Sequence, residues 1–425
     1  MIRKILMAAT AIVAALSPVA AAQAGRSTVL YSFSGGSDGL TPTSGLIEDK
    51  AGNFYSTTYA GGQFDRGVVF ELAPDGTETV LYSFAGGSDG EYPQSGLAED
   101  AQGNLYGTTT EGGTDNLGTV FKLAPDGTET VLHSFVGGYD NGATPFGGVI
   151  LDSKGNLYGT TQDGGSSYCP GTCGVVYKIT RRGKERVIYK FQGSPDGEYP
   201  LSSLLMDKAG NLYGTTLGGG VQSNYCGGGC GTVFELSPSG KDTWSETVIY
   251  SFQGNGNDTT NPWANVIADR AGNLYGTATL GGNYNDCNFG GCGAVFELSP
   301  SKNGSWMEQV LYAFTSEKDG DTPYAGLVRD RTGNLYGTTF SGPRSANCAF
   351  YGCGSAFKLA PDGTFSVLRT FKGGAKDAAN SSANLLIDAK GNLYGTSEAG
   401  GGGACNDEGQ LGCGTVFRLK EQAVK

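Results

Sequence analysis

One four-residue phrase, Gly-Asn-Leu-Tyr (once Gly-Asn-Phe-Tyr), begins at Gly52, Gly103, Gly155, Gly210, Gly272, Gly333 and Gly391. Three further runs keep step with it. A Val-Phe-x-Leu-like run recurs at Val69, Val120, Val176, Val233, Val295, Ala356 and Val416. A Val-Leu-Tyr-Ser-Phe-like run begins at Val29, Val80, Val131, Val187, Val248, Val310 and Val367. The last run precedes an aspartate at Asp49, Asp100, Asp152, Asp207, Asp269, Asp330 and Asp388. Each repeat of 51 to 62 residues thus carries four short β-rich runs, separated by turn signals such as Asp-Lys-Ala-Gly-Asn, Pro-Asp-Gly and Gly-Gly-Ser-Asp-Gly. Four antiparallel strands repeated seven times predict an all-β chain, a seven-bladed β-propeller of four-stranded antiparallel blades. Stacked blades bury their faces on two neighbours, so 425 residues require no single oversized core. A linear solenoid is the alternative, and it would need atypical capping repeats, which neither end shows.

The order of the runs predicts how the ring closes. With Leu46–Asp49 as an inner strand, the Val-Leu-Tyr-Ser-Phe run becomes the outer one. The folded part then starts with an orphan outer strand, 29–33, and ends with an orphan third strand, 416–419. Their pairing is expected to close the last blade and leave no unpaired edge between first and last repeats. The units are about 45–84, 96–135, 148–191, 203–252, 265–314, 326–371 and 384–419 plus 29–33, all within a single domain, 25–425.

The series Gly-Asn-Leu-Tyr-Gly-Thr-Thr, Gly-Thr-Val-Phe-Lys-Leu and Leu-Tyr-Ser-Phe-x-Gly-Gly-x-Asp-Gly-x-x-Pro resembles the GloVer (Gloeobacter/Verrucomicrobia-type) tandem repeat across all seven copies. That resemblance implies an exported bacterial protein. Such proteins often carry a C-terminal surface-anchoring segment, whereas this sequence stops at Lys-Glu-Gln-Ala-Val-Lys with no hydrophobic tail. Asp-x-x-Gly-Asn-Leu-Tyr is also similar to blades of NHL and gluconolactonase-like propellers. It covers one hairpin only and transfers no catalytic residue.

Composition narrows the partners. Glycine, at 73 residues, excludes a helical bundle, because each interior glycine costs a helix about 1 kcal/mol relative to alanine. Arg3 and Lys4, the apolar run Ile5 to Leu16 and Ala22-Gln23-Ala24 read as a cleaved signal peptide over 1–24. No other window is apolar for long enough to span a bilayer, so no membrane insertion of the mature chain is expected. The formal charge is −12. Such a surface repels phosphate backbones, and a nucleic-acid partner is not expected. The destination is outside the cytoplasm, periplasmic or secreted.

The cysteines fall in five pairs, one in each of the last five repeats: Cys169/Cys173, Cys226/Cys230, Cys287/Cys292, Cys348/Cys353 and Cys405/Cys413. Structural disulfides within each loop are the simplest reading for an exported chain, with metal or redox chemistry as the alternative. Zinc wants four ligands, and the sole histidine, His133, falls in an outer-strand slot. The seven aspartates at strand ends read as turn caps. Asp38, Asp89, Asp196 and Asp319 sit in Ser-Asp-Gly-like loops that resemble pieces of calcium sites, but one carboxylate per loop is too few. No cofactor is expected, calcium being the one considered.

Features that differ between repeats are where function can be written. Meander geometry puts the disulfide loops and the loops leading into the inner strands on one face. The other face has short hairpins, apart from longer links around Trp244 and Trp306 and a basic hairpin, Arg181 to Arg186, read as a solvated turn. Immediately after a recurring proline (serine in the last repeat) stand Thr43, Gln94, Phe146, Leu201, Trp263, Tyr324 and Ser382. Phe146, Leu201, Trp263 and Tyr324 put bulky side chains at the channel rim in four consecutive repeats, either to bind a ligand or to plug the mouth. The loop aromatics Tyr168, Tyr225, Tyr284, Phe289 and Tyr351 are candidates to extend that patch.

Three functions compete. The first is a non-catalytic binding or scaffold propeller, recognising a glycan or an envelope or extracellular protein through its disulfide-braced loops. The second is a carbohydrate- or lactone-hydrolysing enzyme, which needs paired carboxylates or calcium at the channel mouth. Asp286, Asp407 and Glu408 lie in suitable loops. The third is a purely structural surface component.

Overall fold

The computed structural model describes residues 26–165, 173–240, 242–255, 258–282, 287, 290–316, 318–348, 351–403, 405–407 and 410–420. Seven four-stranded antiparallel sheets form the blades, the first six running outward from the axis in chain order. Blade 1 consists of Ile47–Glu48, Phe54–Thr58, Val68–Leu72 and Glu78–Ser83. Blade 7 takes Leu386–Ile387, Leu393–Ser397 and Thr415–Lys420 from the end of the chain and its outer strand, Arg26–Ser32, from the beginning. The register pairs Ser27 with Leu419, Val29 with Phe417 and Tyr31 with Val416, with a bulge between Val29 and Tyr31. Closure is therefore as the repeat order predicts, and the strand begins at Arg26 rather than at 29.

The repeated phrase is a hairpin built around its aspartate. In blade 1 the Asp49 carboxylate accepts hydrogen bonds from the Ala51 amide (2.8 Å), the Asn53 amide (2.9 Å), the Asn53 side chain (3.0 Å) and the Tyr55 hydroxyl (3.2 Å). Gly52, between them, has φ 90°, a conformation that glycine adopts without strain. Burial opposes ionisation of Asp49, yet these bonds outweigh it and hold the carboxyl below its usual range. The same set recurs in every blade, so the seven aspartates are turn caps.

Packing between blades explains the rest of the repeat. The core divides into seven buried clusters, one for each interface, and Phe33, Phe70, Leu72 and Val416 belong to the one joining blade 7 to blade 1. The phenylalanine closing each outer strand stands edge-on to an aromatic of the next blade's third strand. Phe84 meets Phe121 at 5.1 Å, Phe252 meets Phe296 at 5.2 Å, and Phe33 meets Phe70 at 5.2 Å. The final glycine of Gly-Asn-Leu-Tyr-Gly makes room for that ring: a Cβ on Gly214 would lie 2.5 Å from Phe234 Cζ. Nearer the axis, second-strand threonines donate to carbonyls of the segment that leads into the inner strand of the following blade. Thr160 reaches Ser202 at 2.9 Å, Thr215 reaches Ala264 at 2.9 Å, and Thr396 reaches Ser44 at 2.8 Å, across the seam.

The outer part of five interfaces carries a less comfortable group. Glu78, Glu129 and Glu185 open the outer strands of blades 1 to 3, Glu246 and Glu308 occupy the matching positions within the longer outer strands of blades 4 and 5, and in each Oε1 is buried without a hydrogen-bond partner. Burial pushes the first four carboxyls up to about 7 and Glu308 up to about 8. Neighbouring aspartates add to this, Asp38 for Glu78 and Asp258 for Glu308. In blade 6 the position is Phe365, which stacks on Tyr312 at 3.6 Å.

Candidate functional site

Seven residues with φ of 53° to 59° ring one end of the axis: Thr41, Tyr92, Thr144, Tyr199, Asn261, Thr322 and Asn380. None is glycine, and a bulky residue in this region stores strain. Each is held from two sides. Its carbonyl accepts from the residue just after the second strand of its own blade, as when the Phe340 amide donates to Thr322 (3.2 Å). Its amide donates backward to the preceding blade, Asn261 to the Cys230 carbonyl (2.8 Å) and Thr322 to the Cys292 carbonyl (3.0 Å). A proline follows, or Ser381 in blade 7, and then the variable rim residue. The disulfide of one blade thus backs the rim residue of the next.

Cys226–Cys230, Cys287–Cys292, Cys348–Cys353 and Cys405–Cys413 are disulfides as expected, with Cα atoms 5.1 to 5.3 Å apart. Cys173 is also disulfide-bonded; Cys169 lies outside the described residues. Closing so short a loop limits the unfolded chain, and replacing Cys226 and Cys230 by serine is expected to cost about 2 kcal/mol in urea unfolding.

All seven rim residues line one cavity of about 680 Å³ at the axis. Its two sides differ. Blades 3 to 6 give an aromatic wall: Phe146 stands edge-on to Trp263 at 5.9 Å, Trp263 to Tyr324 at 5.2 Å, and Tyr324 to Phe340 at 5.3 Å. Leu201 departs from the expected row of four rim groups. It is only 6% exposed, so Phe146 and Trp263 meet from either side of its blade. Blades 7, 1 and 2 give a small polar wall of Ser382, Thr43 and Gln94. Glu398 is the one charged group among the described lining residues, and Ser382 Oγ donates to it. Burial raises the Tyr324 phenol above its ordinary value, and the Glu398 and Asp321 charges add to the effect. Deeper down, Asn384 bridges two blades, donating to Asn265 Oδ1 (2.8 Å) while its own Oδ1 accepts from the Gly326 amide (2.6 Å).

Phe340 and Glu398 belong to a second ring of variable positions, the residue directly after each second strand. Its other members include Tyr59, Thr110 and Gln162, which line a smaller recess of about 330 Å³ beside the cavity. Gln94 and Phe146 border both, so the two spaces adjoin. The pattern was present in the sequence, one residue beyond each Gly-Asn-Leu-Tyr-Gly-Thr-Thr, where it reads as the start of a loop.

Other candidates fall elsewhere. Tyr225 and Tyr351 are 63% and 58% exposed and do not line the cavity, so they do not extend the aromatic wall. Tyr168, Tyr284, Phe289, Asp286 and Glu408, and the side chain of Asp407, lie outside the described residues. Asp38 accepts from the Tyr31 hydroxyl (3.0 Å), the Ser34 amide (2.7 Å) and the Ser34 hydroxyl (2.6 Å), a turn-forming arrangement. Asp89, Asp196 and Asp319 likewise accept from Tyr82, Tyr189 and Tyr312. Among the described residues no three His, Cys, Asp or Glu side chains gather as a metal site. His133 is on an outer strand, Glu129–Ser134, and burial lowers its pKa. No helix among the described residues is long and apolar enough to cross a membrane.

Fold and site together define a closed seven-bladed β-propeller with a cavity at one end of its axis. The chain belongs to the Gloeobacter/Verrucomicrobia repeat family, whose pattern matches residues 18–227 and 169–405. No curated protein matches it in sequence. Among solved structures it is similar to a fungal alcohol oxidase of the AA5 family in complex with copper. There the TM-score is 0.58 at 13% identity, over 93% of this chain and 76% of that one. A puromycin hydrolase S511A mutant gives a TM-score of 0.51 at 11% identity, over 85% of this chain and 50% of that one. A putative gluconolactonase gives 0.40 at 13% identity, over 95% and 94%. At these identities the likeness is one of fold.

Proposed function

We propose that this is an exported, non-catalytic binding propeller that recognises a glycan in the axial cavity and the adjoining recess. The observation that carries the reading is the two-sided cavity. An aromatic wall of Phe146, Trp263, Tyr324 and Phe340 faces Thr43, Gln94, Ser382 and Glu398. A sugar ring has an apolar face and a hydroxyl edge, and such a pair of walls complements both. Its neighbour, lined by Tyr59, Gln94, Thr110, Asn116 and Gln162, offers amides and hydroxyls for a second unit. Hydrolysis by two carboxylates needs a pair about 5 to 9 Å apart. Among the described lining residues the cavity has one carboxylate, Glu398, and the recess has one, Glu111, so neither space holds a pair of its own, which favours binding. The disulfide-bonded loops and the leader-like segment at 1–24 support export.

The test is a glycan screen followed by calorimetry on the best ligand. Trp263→Ala and Tyr324→Ala are each expected to weaken binding about tenfold or more, as truncation of aromatic anchors does. A ligand that binds equally to wild type and both variants would refute the site.

A further inference from the structure

A second groove lies on the opposite face. There the hairpin Arg181 to Arg186 joins the third and outer strands of blade 3, Val175–Ile179 and Glu185–Lys190. It is not a loose turn. The Arg181 amide donates to Asn156 Oδ1 (3.1 Å), and Arg186 forms an ion pair with Asp242 of blade 4 (3.0 Å). Blade 4 contributes an unusually long pair of strands, Thr232–Gly240 and Thr243–Ser251, which carries Trp244 toward blade 3. Trp244 stands edge-on to Tyr158 at 6.0 Å, and the Lys178 ammonium lies 5.1 Å from the centre of the Tyr158 ring. Tyr158, Lys178, Asp242 and Trp244 border a groove of about 780 Å³, together with Asp152, Lys154, Asp207 and Lys208, and the exposed Arg181, Arg182 and Lys184 stand on the hairpin beside it rather than in its lining.

The charge pattern is local. Lys154, Lys178, Arg181, Arg182, Lys184, Arg186 and Lys208 gather at one blade interface of a chain whose net charge is −12. Three carboxylates share the groove with its three lysines: Asp152 and Asp207, which cap their turns through Asn156 and Asn211, and Asp242, which holds Arg186, so the excess positive charge is that of the hairpin at its edge. Among the described residues no ion pair takes up Lys154, Arg182, Lys184 or Lys208. The next interface shows that the cations are not a by-product of the architecture. Blade 5 also extends a hairpin that carries Trp306, but the residue equivalent to Lys178 there is Glu235, bonded to Tyr213 (3.3 Å).

We propose that this groove binds an anionic polysaccharide, its sulfate or carboxylate groups on the cations and its ring faces against Trp244. Clustered cations on an acidic protein focus an attractive field and make binding strongly salt-dependent. The aromatic wall of a recess suits a chain of rings better than a flat bilayer.

The experiment measures binding of the full chain to heparin, to neutral dextran and to vesicles of anionic phospholipid, at low and high salt. Heparin is expected to bind, with affinity falling steeply as salt rises, and dextran not to bind. R182E/K184E, on an exposed turn, is expected to lose at least tenfold, and W244A several-fold without a change in salt dependence. W306A and W263A should bind heparin as the wild type does, the latter separating this groove from the axial cavity. Heparin binding unchanged in R182E/K184E, or lost equally in W306A, overturns the proposal. Binding to vesicles without binding to heparin overturns it in favour of a membrane surface.

Discussion

Phe33→Ala is expected to destabilise the folded ring as much as Phe252→Ala does, by about 3–5 kcal/mol in each case. Phe252 lies in the middle of the chain, whereas Phe33 lies close to the start of the folded part. In a linear stack a residue so near the end would pack on one neighbour and cost little. Here both are fully buried, and each meets its partner ring at 5.2 Å. The seam also holds Thr396 to Ser44 and Arg26–Ser32 to Thr415–Lys420. Urea unfolding followed by tryptophan fluorescence compares the two variants. A cost below about 1 kcal/mol for Phe33→Ala, with the full cost for Phe252→Ala, would mean that the seam carries no load.

Stability is expected to peak between about pH 4 and 6 and to decline toward pH 9, an unusual alkaline sensitivity for a chain this acidic. Glu78, Glu129, Glu185 and Glu246 are raised from 4.5 to about 7, and Glu308 to about 8. The native state therefore holds protons that the unfolded chain has released between these values. That contribution is complete below 4.5 and is lost as the pH climbs through 7 to 8. Full burial would make each shift worth about 3–5 kcal/mol. The groups are only half-buried, and screening reduces each to about 1 kcal/mol. On the acid side the sign reverses. Asp49, Asp100, Asp152, Asp269, Asp330 and Asp388 are held low by their turn bonds, and what they add disappears as the pH falls through their depressed values. Replacing the five glutamates by glutamine is expected to flatten the alkaline limb of urea midpoint against pH. An unchanged slope in that variant would disprove the assignment.

The ring, its closure and the rim positions were legible because each rests on a signal repeated seven times. A proline, replaced by Ser381 in the last repeat, precedes every inner strand at a fixed spacing, so the residue after it is found by counting. Phe340 and Glu398 were missed for the opposite reason: nothing separates a rim residue from a loop residue when the next positions vary in length and type. Leu201 looked like a rim group equal to Trp263 because spacing reports position and not depth. The interface glutamates escaped because a charged residue in the first half of an outer strand reads as solvent-facing. Only the lateral approach of the following blade buries Oε1. In the basic hairpin the six residues were plain, but their meaning depends on Trp244, which a different blade brings alongside.

Because the outer strand of the last blade is the first one synthesised, the ring has no finished form until the final repeat is available. Until then Arg26–Ser32 and the open side of Leu46, Phe54 and Phe70 expose a strand edge and an apolar surface with no mate. A chain that crosses a membrane unfolded meets this requirement naturally, since both ends arrive on the far side before either is needed. The same geometry makes the seam the point where two copies emerging together would exchange first strands, a hazard that rises with concentration.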